Sequence, residues 1–307
     1  MCAGFSSARG IAKSIAQKRE SENTSEPIVK DEQLDSPQLP DSKRDGTHLH
    51  VYPDREDLAM LFKQYRPGID ELAFGVEPAR TRYRLRLARY PALMEALERW
   101  LGSRTENETF DLLDIGAGFG RTFIYIDAAG MADRFRLQGV DLNPGRKDHV
   151  FSTDRWTIHE RDAEQGLGFA DRSFPNDSFD VVICEQLLEH LNHPERVIEE
   201  VARVLRPGGI FVVGVPIFVE PLAKIRRWRV SRYGLGGSDH IQTYSLKSIR
   251  RQLSEHFRIK EQRGFRIISG GVLRKLENRF WWYRFNRWLG ERLPAYCIEV
   301  QLVVTHK

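Results

Sequence analysis

The chain has 307 residues, 41% hydrophobic and 29% charged, with 47 Lys or Arg against 43 Asp or Glu and a formal net charge of +4. This suits one large or two small globular domains and excludes a wholly disordered or fibrous chain. Cys2, Cys184 and Cys297 stand far apart without paired or metal-ligand spacing. That argues against a disulfide scaffold or a zinc site and favours a reducing compartment.

Residues 1–50 are rich in Ser, Glu, Asp, Lys and Pro and lack apolar periodicity, so they read as a disordered tail. The tail has no apolar signal-peptide core. The longest apolar run, Ile210 to Val219, is broken by Gly214 and Pro216 and is too short to span a bilayer. The expected location is therefore the cytoplasm or the periphery of a membrane. Asp57, Leu58, Leu61, Phe62 and Tyr65 follow helical spacing, as do Leu85, Leu87, Leu93, Leu97 and Leu101, with Pro91 as a kink or junction.

From Phe110 the texture changes. Strands are predicted at Phe110–Ile115, Leu137–Asp141, Trp156–Glu160, Phe179–Cys184 and Gly209–Val215. Helices are predicted at Arg121–Ala129, near Pro144–His149, and at Pro194–Leu205, where Pro194 suits a first helical position. Arg206-Pro-Gly-Gly209 is expected to stop that last helix and turn into the next strand. Such alternation implies a parallel sheet with helices on both faces. Ligands then bind beyond the carboxyl ends of its strands.

Asp111-Leu-Leu-Asp-Ile-Gly116-Ala-Gly118-Phe-Gly120-Arg carries the chemistry. Three glycines follow an apolar strand and open a helix, which permits a tight turn and close approach of a ligand to the backbone. Asp141 ends the second strand, where an acid can accept from ribose hydroxyls. The dinucleotide pattern G-x-G-x-x-G fits less well, because the third glycine comes one position early and Arg121 takes its place. Asp114 would also repel a pyrophosphate but attract an amine. Both features favour a nucleoside bearing an amino-acid tail. A ligand-free structural turn is the minor alternative.

Four further segments follow in order: Gly139-Val-Asp-Leu-Asn-Pro144, Arg161-Asp-Ala-Glu164, Phe179-Asp-Val-Val-Ile-Cys-Glu-Gln-Leu-Leu-Glu-His-Leu191 and Val204-Leu-Arg-Pro-Gly-Gly-Ile-Phe-Val-Val213. With the glycine loop they resemble class I S-adenosylmethionine-dependent methyltransferases, in particular the small-molecule branch that includes quinone-biosynthesis enzymes. The resemblance covers about residues 108–216. It implies a Rossmann-like seven-stranded, mostly parallel sheet with helices on both faces and Tyr296–Thr305 as an antiparallel last strand. It implies S-adenosylmethionine as cofactor. Gly116, Ala117, Gly118 and Gly120 would lie against its methionine part, with Asp114 near the amine. Asp141 would hold the ribose and Leu142 would lie against adenine. Asp162 would accept from the adenine amino group, with a helix cap as its alternative role. Ala163 would offer its backbone N–H, and Cys184 and Glu185 would close over the methionine end. For Cys184 a plain buried role competes. His190, beside Glu189, is read as orienting the loop before Pro194 rather than as catalytic.

On this reading residues 51–307 form one domain: a helical cover over 55–102, a cofactor core over 108–216, a lid and basic region over 217–295, and the last strand over 296–305. Ser238-Asp-His-Ile-Gln-Thr-Tyr-Ser-Leu246 resembles the segment that many members carry before a helix, here capped by Ser245. It would bring His240 to the mouth as base or substrate contact, with Tyr244 behind it, and a surface capping histidine is the competing role. Between Lys224 and Arg292 there are 18 Lys or Arg against five Asp or Glu. The run from Leu273 to Leu289 reads as a basic aromatic helix. Three roles compete for it: peripheral membrane contact through residues 273–290, RNA binding, and packing on the core. RNA ranks lowest because no recognisable RNA-binding module accompanies the core. The leading expectation is methyl transfer to a small molecule, such as an acidic glycan, lipid or quinone precursor. An RNA-directed methyltransferase and a non-catalytic cofactor-binding protein are the alternatives.

Overall fold

The computed structural model describes residues 87–118, 120–142, 156–169, 172–234, 240–269, 273, 276 and 279–307. The predicted tail over 1–50, the helix containing Leu61, the short helix near Pro144 and the positions of Ser238 and Asp239 lie outside these residues.

The first described helix, α1, spans Arg89–Leu101. Pro91 does not kink it. It is the third helical residue, where a backbone N–H has no intrahelical partner, so its absence costs nothing. Then come β1 (Phe110–Ile115), α2 (Arg121–Ala128), β2 (Phe135–Asp141), β3 (Trp156–Glu160), β4 (Phe179–Glu185), α3 (Pro194–Val204) and β5 (Leu205–Pro216). The chain closes with α4 (Glu220–Tyr233), α5 (Leu246–Leu253), β6 (Phe257–Phe265), α6 (Phe280–Arg292) and β7 (Glu299–His306).

These seven strands form one sheet in the order β3-β2-β1-β4-β5-β7-β6. The first five run parallel, and β7 is inserted antiparallel between β5 and β6. This is the expected Rossmann-like sheet. Its central strands are apolar on both faces, as parallel strands covered by helices must be. Leu112, Val181, Ile183 and Val212 share one buried layer with Leu93 and Leu97 of α1 and Phe123 and Ile126 of α2. Leu113, Ile115, Val182 and Val213 share the other with Val197 and Val201 of α3 and Ile249 and Leu253 of α5.

Several boundaries move for local reasons. β5 begins at Leu205 rather than Gly209: Leu205 pairs with Phe179, and Arg206 to Gly209 form a bulge before pairing resumes at Ile210. Gly208 takes φ +81 there, and Arg206 is held by Asp111 at 2.9 Å. β6 ends at Phe265, where Arg266 turns left-handed at φ 64. The basic aromatic helix begins at Phe280, not Leu273, and Pro294–Tyr296 is a short 3-10 turn ahead of β7.

Candidate functional site

The carboxyl ends of β1, β2, β4 and β5 meet at one edge, because parallel pairing sets Ile115 beside both Val140 and Cys184, and Glu185 beside Gly214. The glycine loop rises from this edge. Gly116, Gly118 and Gly120 all adopt positive φ, at 76°, 55° and 72°. A Cβ on Gly116 would meet Leu187 at 3.2 Å, whereas one on Gly118 would meet nothing within 4 Å among the described residues. Gly116 is therefore needed for packing, and Gly118 turns toward open space. Asp141 holds the loop from β2, its Oδ2 accepting from the Gly118 N–H at 2.9 Å. Gly139 lets the loop sit close, since a Cβ there would approach that of Ala117 to 2.8 Å. A glycine inside a strand signals such an approach, but no role follows for Gly139 from its motif alone.

Acids gather here. Asp114 is buried, and burial pushes its carboxyl up to about 8 despite a hydrogen bond to Thr122, with Glu185 and Asp141 adding repulsion. Burial raises Glu185 to about 7 against the pull of Arg89 and Gln301. Its Oε1 accepts from Gln301 Nε2 at 2.7 Å, and Arg89 Nε lies 3.7 Å from Oε2. Gly214 leaves room for this carboxylate, which any Cβ at that position would overlap. Arg89, Gly214 and Gln301 went unnoticed in the sequence because they come from three distant segments. Burial also lifts Glu189 to about 8. An acid-rich edge whose carboxyls resist ionisation alone is suited to a cationic ligand, which would compensate their charge.

The remaining predicted residues divide. Leu142 is exposed next to Asp141. Asp162 caps the 3-10 turn Ala163–Gln165, accepting from Glu164 N and Gln165 Nε2, each at 3.0 Å. The cap reading thus holds in the structure, although a carboxylate oxygen can accept a second bond. Ala163 is buried in that turn. Cys184 lies fully buried in the layer of Leu113 and Val182, and burial raises its thiol well above the usual range.

The segment from His240 to Tyr244 is stitched across the same edge. Gln242 N donates to Glu189 O at 2.9 Å, Tyr244 bridges Ile217, and Phe218 N donates to Tyr244 O at 2.9 Å. His240 meets His190 edge-on, with ring centroids 4.8 Å apart. Tyr244 Oη and Glu189 Oε2 are buried without a hydrogen-bond partner among the described residues. Ser245 caps α5 in a capping box with Ser248, as expected. One ligand atom each from Glu189, His190 and His240 lies within 4.8 Å of the others, close enough to share a cation, which the spacing in sequence did not suggest.

Comparison with known proteins gives the family. Residues 81–257 match the methyltransferase domain family, and the chain belongs to it. An "Uncharacterized methyltransferase" of Mycobacterium avium is 32% identical over 139 residues, covering 44% of this chain and 50% of its own length. A Mycolicibacterium smegmatis protein whose name begins "Probable S-adenosylmethionine-dependent methyltransferase" is 34% identical over 107 residues, 34% of this chain and 38% of its own. The chain thus spans about half or less of these two relatives. Among solved structures, a Haloferax volcanii methyltransferase complex with the Trm112 activator aligns with TM-score 0.45 and 18% identity, over 79% of this chain and 99% of that one.

Proposed function

We propose that the protein transfers a methyl group from S-adenosylmethionine to a small-molecule acceptor. The observation that carries this is the glycine loop, tied to Asp141 and facing open space at Gly118, above the buried acids Asp114 and Glu185. S-adenosylmethionine, when bound, supplies a methyl on a positively charged sulfur, and its tail carries an amine. Asp141 would take the ribose hydroxyls, Leu142 the adenine face, and Asp114 and Glu185 the cationic end. The early third glycine and the acid at Asp114 disfavour a dinucleotide at the same loop.

On this reading His240 binds the acceptor and, for a hydroxyl acceptor, takes its proton. Tyr244 Oη and Glu189 Oε2 offer polar partners to the acceptor in the buried part of the mouth. Alignment and exclusion of water do most of the work, since a well-oriented pair can save on the order of 7–11 kcal/mol. A positioned base adds about 10²–10⁴-fold. The basic residues after β5 favour an acidic acceptor such as an anionic glycan, a lipid or a quinone precursor. RNA is the second reading, favoured by the excess of cations between Lys224 and Arg292.

The test is calorimetry with S-adenosylmethionine, followed by a screen with labelled cofactor against small-molecule extracts and bulk RNA. Binding followed by labelling of an extract component is expected. No binding by folded protein would remove the methyl donor, and labelling of RNA alone would promote the second reading.

A further inference from the structure

A helix on a globular protein ordinarily turns its apolar side inward. α4 does the reverse. Of its 14 residues only Ala223 is buried. The helix is strapped to the body by polar groups: Ser245 Oγ donates to Glu220, and Arg227 donates to Thr243 O at 3.0 Å. At 100° per residue these three positions, Ala223, Glu220 and Arg227, share one side. Leu222, Ile225, Trp228 and Tyr233 fall on the other, and all four are exposed, Trp228 by 60% and Tyr233 by 72%. Arg229 and Arg232 lie among them and are exposed too. Turning large side chains outward in this way leaves apolar surface in water that a stable fold would otherwise hide.

α6 repeats the arrangement. Trp282, Tyr283 and Asn286 are buried and fix the helix to the body. Trp281, Phe285 and Trp288 recur at i, i+4 and i+7 on the outer side. The Arg292 guanidinium covers the Trp288 ring at 4.4 Å. The two helices belong to one edge of the sheet. β5 ends there at Pro216 and leads into α4. β6 ends there at Phe265, whose carbonyl accepts from Ile298 N at 3.2 Å. Ile298 O in turn accepts from Ile217 N at 2.8 Å, next to the exposed Phe218. This is also the edge from which the glycine loop rises.

We propose that this edge is a docking surface for an anionic lipid bilayer, which α4 and α6 meet with their outward aromatic and arginine-bearing sides. The chemistry selects this occupant. Aliphatic residues such as Leu222, Ile225 and Ile298 gain from an apolar medium and offer no face on which nucleic-acid bases stack. Trp and Tyr favour the boundary between lipid headgroups and acyl chains, and arginines pair with lipid phosphates there. A second copy of the chain would bring a like-charged face against this one. No helix among the described residues is long and apolar enough to cross a membrane, so the contact is peripheral. Resting on the methyl-transfer reading, the surface further implies an acceptor that resides in the bilayer and reaches the mouth from it.

The full chain is floated with phosphatidylcholine vesicles and with vesicles containing phosphatidylglycerol, at low and high salt. Association with the phosphatidylglycerol vesicles alone, weakened by salt, is expected. Leu222→Ser with Ile225→Ser, and separately Arg229→Glu with Arg232→Glu, should each lower partitioning on the order of tenfold. Calorimetric affinity for S-adenosylmethionine and the melting temperature should stay unchanged in both variants. The proposal is overturned by absence of vesicle association at low salt, or by variants that float as well as the parent. It is equally overturned if a labelled RNA binds instead and the same variants lose it, or if sedimentation shows a dimer that they break. Loss of S-adenosylmethionine binding in the parent would sink the methyl-donor reading and leave the vesicle result standing.

Discussion

The half of the sheet from β3 to β4 and the half from β5 to β6 handle charge in opposite ways. The first gathers carboxyls at its edge and buries them: Asp114, Glu185 and Glu189 all resist ionisation. The second carries an excess of cations, among which Arg229 and Arg232 lie exposed beside the aromatic and aliphatic side chains of α4. Burying an acid is costly even beside the partners that Glu185 has in Arg89 and Gln301, so the first half is suited to receive a compensating charge. Exposing Trp228 and Trp281 leaves apolar area in water, so the second half is built to be covered. A cationic small ligand would answer the one, and the anionic bilayer proposed above the other.

The largest expected effect tests whether the two halves meet at a working mouth. His240→Ala should lower turnover of a hydroxyl acceptor by about 10²–10⁴-fold while leaving cofactor affinity intact. Dialysis against EDTA should leave the parent rate within about twofold if His240 acts as a base. A collapse of rate on chelation would instead assign Glu189, His190 and His240 to a cation. Next in size is Asp141→Ala. Losing charge-assisted hydrogen bonds worth about 1.5–3 kcal/mol each should weaken S-adenosylmethionine roughly 10²-fold by calorimetry. An unchanged affinity would take Asp141 off the ribose.

Gly118→Ala sharpens the comparison further. A Cβ there meets nothing within 4 Å among the described residues, so the fold should lose the left-handed backbone cost of about 1–2 kcal/mol. Cofactor affinity should fall by about tenfold or more, and a loss of stability without loss of affinity would mean that the ligand lies elsewhere. The smallest effect is that of pH. Asp114, Glu185 and Glu189 have folded values raised above those of the unfolded chain, so the folded protein holds more protons between the two. The stability that these three groups contribute to the ligand-free protein is fully present below the ordinary carboxylate range and is lost as pH rises toward about 8. A cationic ligand favours the ionised acids, so affinity should rise about threefold to tenfold from pH 6 to 7.5, with proton release. Calorimetry in buffers of different ionisation enthalpy reads both. Affinity flat across that range would mean the acids do not face the ligand.

Much of the first half was legible in the chain. β1 falls where its apolar run places it, because a parallel strand buried on both faces is a continuous apolar segment, and the edge strand β3 is legible from its alternation of buried and exposed residues. The glycine loop and Asp141 were legible for a similar reason: a tight turn, a positive φ and a short sequence distance confine them to a local pattern. Partners from afar were not legible. Glu185 takes its setting from Arg89, Gly214 and Gln301, and Glu189, His190 and His240 converge across some 50 residues through bonds of Gln242 to the Glu189, Leu191 and Asn192 carbonyls. Asp162 could not be assigned between cap and ligand until its hydrogen bonds to Glu164 and Gln165 were seen.

The sequence by itself thus determined the class of fold, the methyltransferase family and the elements that carry the loop, since each depends on residues within a few positions of one another. Tertiary structure decided the orientation of side chains. The excess of basic residues was visible as a number, but its meaning was not, because helical periodicity does not say which side of a helix the body covers. Ala223 faces inward on α4 while Leu222, Ile225 and Trp228 face out. That follows from the polar straps at Glu220 and Arg227, and each strap needs a residue 16 or more positions away to close it.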